Sequence, residues 1–312
     1  MEGRSRAVPR FPAAEGVASS MRKITSYPIL KMALMSSLGI LTAASLAFAQ
    51  QSPNAPREAD VYCSGMATTQ PIPNDTYVIS GENSSYRMTY SEGEQVFLNR
   101  GADQGVKVGD QYTVMRRVRE PVKYKWFTWQ PQLMRAMGPV YADIGRLRVV
   151  NVLAKTSTAE VTYSCDMMYR GDIALPFAPR PAPAFHDVKF DQFAPPSGKP
   201  TAMVVTGKDF AQLVGTGSIV YVNLGATQGV KVGDYFRVFR YQGTRNQTAY
   251  QTANTSYKMY GYGSTPVAYR WDNLPRQILG EGIVLRASPN SSTVLLTHTL
   301  VEIFAGDYVE LE

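Results

Sequence analysis

Four aspartates in this 312-residue chain directly follow a glycine: Asp110, Asp172, Asp234 and Asp307. Taken in pairs, such carboxylates could work as general acid and base, or as oxygen ligands for calcium. The same Gly-Asp step also describes a tight turn in which the aspartate accepts hydrogen bonds from nearby backbone N–H groups. The turn reading is preferred here, because the carboxylates recur in duplicated segments and an active site rarely needs one and the same carboxylate in each copy. The chain has only two histidines. His186 lies in a proline-rich stretch and His298 in the apolar strand pattern VLLTHTLVEI, with no G-x-S-x-G elbow to supply a serine nucleophile. Cys63 and Cys165 are 102 positions apart, so no clustered zinc or haem ligand set can be assembled from the cysteines and histidines. GADQGVKVGD lacks the Gly-Lys-Ser/Thr ending of a phosphate loop, and no helix follows it. The expectation is a non-catalytic protein with no catalytic residues, no metal and no cofactor.

Aromatic residues are a better guide to binding. Tyr124, Trp126, Phe127 and Trp129 crowd the segment KYKWFTW, and Tyr257, Tyr260, Tyr262, Tyr269 and Trp271 occupy a second segment in which Arg245, Lys258 and Arg270 are interspersed. Tyrosine and tryptophan suit protein interfaces and sugar stacking alike, and they also suit packing of a hairpin onto its own domain. Basic and aromatic residues together fit single-stranded nucleic acid as well. The charge argues against that partner. The whole chain carries +7, but residues 1–49 hold six Lys/Arg and two acids, which leaves 26 basic and 23 acidic residues, or +3. The expected partners are other envelope proteins or a second copy of the chain, with peptidoglycan or another glycan as the rival.

These segments are positioned by a duplication. Residues 96–116, VFLNRGADQGVKVGDQYTVMR, and 220–240, VYVNLGATQGVKVGDYFRVFR, are identical at 13 of 21 positions at a constant offset of 124. Val78–Gly81 and Val204–Gly207 match upstream. Downstream, Gly145 precedes Gly171-Asp172 by 26 residues, as Gly280 precedes Gly306-Asp307. The units therefore span 76–177 and 201–312, and the seven-proline segment PFAPRPAPAFHDVKFDQFAPPSGKP between them reads as a semi-extended linker, 178–200 once the strand end is assigned to unit one. Alternating apolar residues mark short strands, and Gly101, Gly105, Gly109 with Asp110, and Gly225, Gly229, Gly233 with Asp234, mark turns, the first two glycines of each set being expected at positive φ. Five or six short strands in about 100 residues predict an all-β chain of two tandem small barrels, SH3-like or related. Both aromatic segments leave the repeat at one point, between the strand after the Gly-Asp turn and the strand opening at Gly145 or Gly280. Two such loops should thus project from equivalent edges.

The front of the chain reads as an address. Arg22, Lys23 and Lys31 precede the 15-residue apolar run MALMSSLGILTAASL, and Ala47-Phe48-Ala49 supplies a small-x-small cleavage site before Gln50. A membrane-spanning helix would need about 20 apolar residues. The expected product is an exported chain with an N-terminal segment 50–75 ahead of unit one and no transmembrane segment, residing in the periplasm or against the outer envelope. In that oxidising compartment Cys63 and Cys165, which bracket unit one, are expected to form a disulfide.

The pattern N-x-G-x-x-x-G-V-K-x-G-D, followed by a strand and a later G-x-x-x-V…S-x-x-V…GD, resembles the C-terminal domain of flagellar assembly protein T. In the second unit, Asn223–Asp234 and GEGIVLRASPNSSTVLLTHT are also similar to the β-barrel region of the cell-shape protein MreC. The resemblance covers about 200 residues. It implies a small β domain and an envelope setting. The chain departs from MreC in having a cleavable signal where that family has a transmembrane helix and coiled coil, and it has no recognisable flagellar N-terminal domain.

Overall fold

Alternation of side chains across a pleated strand is visible at once in Gln95–Leu98, whose Val96 and Leu98 are fully buried while Gln95 and Phe97 are not. The computed structural model describes residues 55–83, 85–119, 125–187, 190–242, 256–257, 267–268 and 275–312, so the leader 1–49 lies outside the described residues. The first half runs α1 (Glu58–Tyr62), β1 (Met66–Ala67), β2 (Val78–Gly81), β3 (Thr89–Tyr90), β4 (Gln95–Leu98), β5 (Gln111–Val118), α2 (Gln130–Met137), β6 (Val140–Val152), β7 (Ser157–Ser164), β8 (Met168–Tyr169) and β9 (Ile173–Pro176). The second runs β10 (Thr201–Gly207), β11 (Leu213–Val214), β12 (Ile219–Val222), β13 (Tyr235–Arg240), β14 (Ser256–Tyr257), β15 (Val267–Ala268), β16 (Gln277–Ser288), β17 (Ser291–Thr299), β18 (Ile303–Phe304) and β19 (Tyr308–Leu311).

The fold is all-β. Strands β10-β12-β17-β16-β13-β19 close into a six-stranded barrel, and β2-β4-β7-β6-β5-β9 follow the same circuit as a curled sheet, to which β1 adds a strand beside β6. In the barrel, β10 and β19 seal the circuit through three paired positions. In the sheet, β2 and β9 do not pair as strands; the chain there is joined by the bridge Tyr77–Ile173 and by backbone bonds from Val78 N–H to Asp172 O, Gly171 N–H to Val78 O and Ala174 N–H to Thr76 O. The interiors correspond side chain by side chain. Val96, Leu98, Val114, Ile144, Val149 and Val161 fill the sheet's concave side, and Val220, Val222, Val238, Leu279, Val284 and Leu296 fill the barrel at the duplicated positions.

The outer faces do not correspond, and that difference organises the molecule. In the sheet, Gln95 pairs with Glu160 and Gln111 with Arg148. The matching barrel pairs are Ile219 with Leu295 and Tyr235 with Ile283. The apolar set is buried beneath two segments from elsewhere in the chain, through Val61 of α1 and Phe185 of the segment between the repeats. The polar set faces water, where Arg148 and Glu160 form a half-exposed ion pair. Non-alternating strands such as Ile219–Val222, buried at all four positions, are the signature of a strand covered on both sides.

A second apolar cluster joins the halves. Val118 and Val140 of the sheet, Ala67 of β1, and Leu133, Met134 and Met137 of α2 pack against Val205, Phe210 and Tyr221 of the barrel. The N-terminal segment also bonds the barrel through its backbone carbonyls. Tyr221 Oη donates to Ser64 O (3.1 Å), Thr293 Oγ1 to Gly65 O (3.2 Å) and Ser291 Oγ to Ala67 O (2.6 Å). Residues 52–312 accordingly form one compact unit. The expected disulfide is present: Cys63 and Cys165 are bonded, with their Cα atoms 5.5 Å apart.

Candidate functional site

The residues shared by the two repeats make the same bonds in each. Asn99 Oδ1 accepts the Tyr77 N–H (2.8 Å) and Asn223 Oδ1 the Met203 N–H (2.8 Å). Gln104 and Gln228 accept from the backbone of Gly101 and Gly225 at 2.9 Å. Asp110 Oδ2 accepts the Lys107 N–H (2.9 Å), and Asp234 Oδ2 the Lys231 N–H (2.8 Å). Asp172 and Asp307 each accept a backbone N–H three residues back, from Tyr169 and Phe304, at 2.8 Å. The same two aspartates receive a two-pronged guanidinium, from Arg116 and Arg240 respectively. Every Gly-Asp carboxylate is thus engaged in holding a turn.

The glycines divide into two kinds. Gly105 and Gly229 end one-turn 3-10 helices at φ 83° and 91°, left-handed values that a Cβ disfavours. Gly101 and Gly225 were expected to share that geometry and do not. Their φ values are −138° and −139°, and what excludes a side chain is crowding. A Cβ at Gly101 would lie 2.2 Å from Leu153 O, and one at Gly225 2.3 Å from Ser288 O.

The aromatic segments are placed only in part. Tyr124, Tyr260, Tyr262, Tyr269 and Trp271 lie outside the described residues, and Tyr257 is described only as backbone in β14. In the first segment Trp129 is 54% exposed, Trp126 is half-buried, and Phe127 is 2% exposed. Phe127 was expected on a binding surface. It is instead buried, just ahead of helix α2, which docks on the barrel through Gln130. Gln130 at the start of α2 is buried and donates to Val205 O of the barrel (2.9 Å) and to Gln212 (3.3 Å), while its own oxygen accepts the Trp126 N–H (2.8 Å). Helix α2 anchors the segment, and Trp129 is the large aromatic ring it leaves facing solvent.

An ionic cluster lies at the junction of the halves and was not foreseen from sequence. Asp143 of β6 has a fully buried side chain. It accepts the Gly65 N–H (2.9 Å) and an Arg286 N–H from the barrel (3.3 Å), and lies 3.6 Å from Arg180 of the inter-repeat segment. Four separate stretches of chain therefore meet at one carboxylate. Burial pushes Asp143 up to about 6, against the pull of Arg180 and the Gly65 N–H. Glu281 on β16, raised by burial and then by Glu312, reaches about 7. The signal in the sequence was an Asp within the run VYADI, which does not name its partners.

The two shifts fix a direction of pH dependence. Both carboxyls hold their protons more firmly folded than unfolded, where they titrate near ~4. Folding takes up protons between the two values, so their stabilising contribution is full below the unfolded value and is lost as pH rises through about 6–7. Asp143→Asn cannot take part in this. The stability difference between wild type and Asp143→Asn, measured by urea denaturation, is expected to move in favour of the wild type when pH is lowered from 8 to 5. A difference that is unchanged, or moves the other way, would contradict the assignment.

Beside the cluster opens a cavity of 500 Å³, lined in part by Met66, Ile72, Pro181, Val232, Leu285 and the Arg286 side chain. That volume falls in the range of small-ligand sites. Among the described residues no group of three or more His, Cys, Asp or Glu is placed to hold a metal, and no helix is long and apolar enough to cross a membrane. No protein-family model matches the sequence, and no curated protein matches it either.

Proposed function

We propose that this protein is an exported, non-catalytic scaffold or assembly protein of the bacterial envelope, binding other envelope proteins through aromatic surface displayed on its duplicated barrels. The observation that carries the reading is the use made of the repeat. Its shared asparagine, glutamine, aspartate and arginine side chains are all engaged in the same internal bonds, so the duplicated elements serve as framework. The disulfide supports an oxidising compartment. The signal-like leader and the similarity of the repeat to flagellar assembly protein T and MreC support the envelope setting and a barrel of SH3-like or related type.

A second reading, a periplasmic peptidoglycan- or glycan-binding module, draws on the exposed Trp129 ring, which also suits stacking on a sugar. One variant tests both. Trp129→Ala should leave stability within about 1 kcal/mol, as at other exposed sites. On the scaffold reading it should sharply reduce cross-linking to envelope proteins while purified peptidoglycan sacculi retain neither form. Retention of wild type, but not variant, by protein-free sacculi would favour the glycan reading. Capture that is identical for wild type and variant in both assays would remove Trp129 from the binding surface.

A further inference from the structure

Each repeat carries an apolar outer face where β2 pairs with β4 or β10 with β12. In the second repeat, Val205 sits in a bulge between the pairs Val204–Val222 and Thr206–Tyr221. Val205, Tyr221 and Phe210 are packed beneath Ala67 of β1, three side chains of α2, and Val118 and Val140 of the sheet. The counterparts in the first repeat are apolar too. Ile79 sits in the same bulge, between Val78–Leu98 and Ser80–Phe97, with Phe97 in the place of Tyr221. At the 124-residue offset, Tyr86 falls on Phe210 and Met88 on Gln212, the side chain to which Gln130 of α2 donates. This face, however, is open. Val205 is fully buried where Ile79 is 39% exposed, and Tyr86 and Met88 are 75% and 73% exposed. Their connection is nonetheless well held. The Tyr86 and Arg87 N–H groups both donate to Asn83 O, the Tyr90 hydroxyl donates to Arg87 O, and Arg87 pairs with Glu94. Elsewhere the open surface of the first repeat is polar, with Gln95 and Glu160 where the second repeat has Ile219 and Leu295. An apolar patch kept on such a surface marks an interface.

The covered face shows what kind of element fits the open one. Its cover comes from the β5–β6 connection, which docks through α2, and from the strand ends Val118 and Val140 beside that connection. The contact between repeats is therefore head-to-tail: the connection end of one repeat meets the first-strand face of the other, and Ile79 and Phe97 take no part in it. A heterologous contact of this kind leads onward and not back. Its next occurrence would join the β13–β16 connection, residues 243–274, to the face of a first repeat. The two connections share a Tyr-basic-Trp step, Tyr124-Lys125-Trp126 and Tyr269-Arg270-Trp271. Charge favours the same pairing. Residues 75–94, around the open face, carry Asp75, Glu82, Glu92 and Glu94 against Arg87, and residues 243–274 carry Arg245, Lys258 and Arg270 against Asp272.

We propose that the open face of the first repeat receives the β13–β16 connection of a second copy of this chain, so that copies join head to tail in an open series. The inference rests on the scaffold reading in taking the second aromatic segment as a binding element, and it adds the face that receives it and the identity of the partner.

The mature chain, with its disulfide intact, is followed by sedimentation velocity over a range of concentrations. Its mean mass should rise with concentration and pass that of a dimer. Tyr86→Ser/Met88→Glu, which alters the face at exposed positions, and Tyr269→Ala/Trp271→Ala, which alters the connection, should each weaken association at least tenfold. A mixture of the two variants should form one-to-one pairs that grow no further, because one variant keeps the connection and the other keeps the face. Carbodiimide cross-linking of mixed nitrogen-15 and unlabelled wild type needs no variant, and so holds should either fold poorly. Links from Lys258 to the acids of residues 75–94 should join the two labels. A wild type that stays monomeric, or links confined to one label, would overturn the proposal, the latter by showing that each connection covers its own first repeat. A dimer lost in the face variant but kept in the connection variant would overturn it in favour of two faces meeting each other. A monomeric chain that still cross-links to envelope proteins through Trp129 would overturn this inference and leave the scaffold reading standing.

Discussion

Replacing Arg240 with methionine should cost ~3–5 kcal/mol of stability, while the same replacement at its duplicate, Arg116, should cost roughly half as much or less. The two arginines make matching bonds. Arg240 reaches Asp307 through Nε at 2.7 Å and Nη2 at 2.6 Å, and Arg116 reaches Asp172 at 2.7 Å through both. Arg116 also pairs with the exposed Asp166 (3.2 Å), and the two pairs differ in their access to water. The Arg240 and Asp307 side chains are 9% and 0% exposed, whereas Arg116 is 24% exposed and Asp172 3%. Removing a guanidinium leaves a carboxylate that cannot be hydrated in the closed barrel and can be partly hydrated in the open-edged sheet. Burial outweighs the Arg240 contacts and raises the Asp307 carboxyl above the ordinary aspartate range. It follows that Arg240→Met combined with Asp307→Leu should recover most of the loss, because the uncompensated charge is then gone. Urea denaturation of the two single variants and the double variant checks this. Equal losses at Arg116 and Arg240, or no recovery in the double variant, would show that the closure of the barrel does not set the cost.

The interior of both repeats was legible because its rule is local. Val96, Leu98, Val114 and their duplicates sit at period two in short strands bounded by glycine turns, and nothing distant decides their orientation. The Gly-Asp turns were legible for the same reason, since each aspartate bonds an N–H three residues away. The junction was not. Its bonds to the N-terminal segment end on the backbone carbonyls of Ser64, Gly65 and Ala67, and a carbonyl leaves no mark in the sequence. The meeting of Asp143, Arg180 and Arg286 depends on how two repeats and a connecting segment close in space. A usable signal did exist. Where the first repeat has Gln95, Gln111, Arg148 and Glu160, the second has Ile219, Tyr235, Ile283 and Leu295, so one outer face had to be covered and the other did not. Phe127 was misplaced because an aromatic run in a long connection looks the same whether it projects or folds back. Only the docking of Gln130 on Val205 O decides between them.

That covering segment is where the disulfide acts. Cys63 lies between Val61, which packs on the barrel's outer face, and Ser64–Ala67, which bonds both halves, while Cys165 follows the last strand residue of β7 in the sheet. The bond closes a loop with a sequence separation of 102, and a crosslink of that span is expected to stabilise by ~2–5 kcal/mol, chiefly by restricting the unfolded chain. Cys63→Ala/Cys165→Ala should therefore lower the urea midpoint in proportion. Its effect should also be local. Without the crosslink, α1 and β1 keep two strand positions against β6, the packing of Val61 and Ala67 and a few hydrogen bonds, while the interior strands keep their full ladders. Hydrogen exchange should accordingly accelerate first at Gly65 and Thr68, whose N–H groups bond Asp143 and Pro139 O, and change little at Val96 relative to the global loss. With Gly65 released, Asp143 would lose its backbone donor and the contact between Arg286 and the sheet would loosen with it. If the double variant instead keeps the Gly65 amide as protected as that of Val96, the segment is held by its packing and carbonyl bonds alone, and the disulfide's stabilisation lies entirely in the unfolded state.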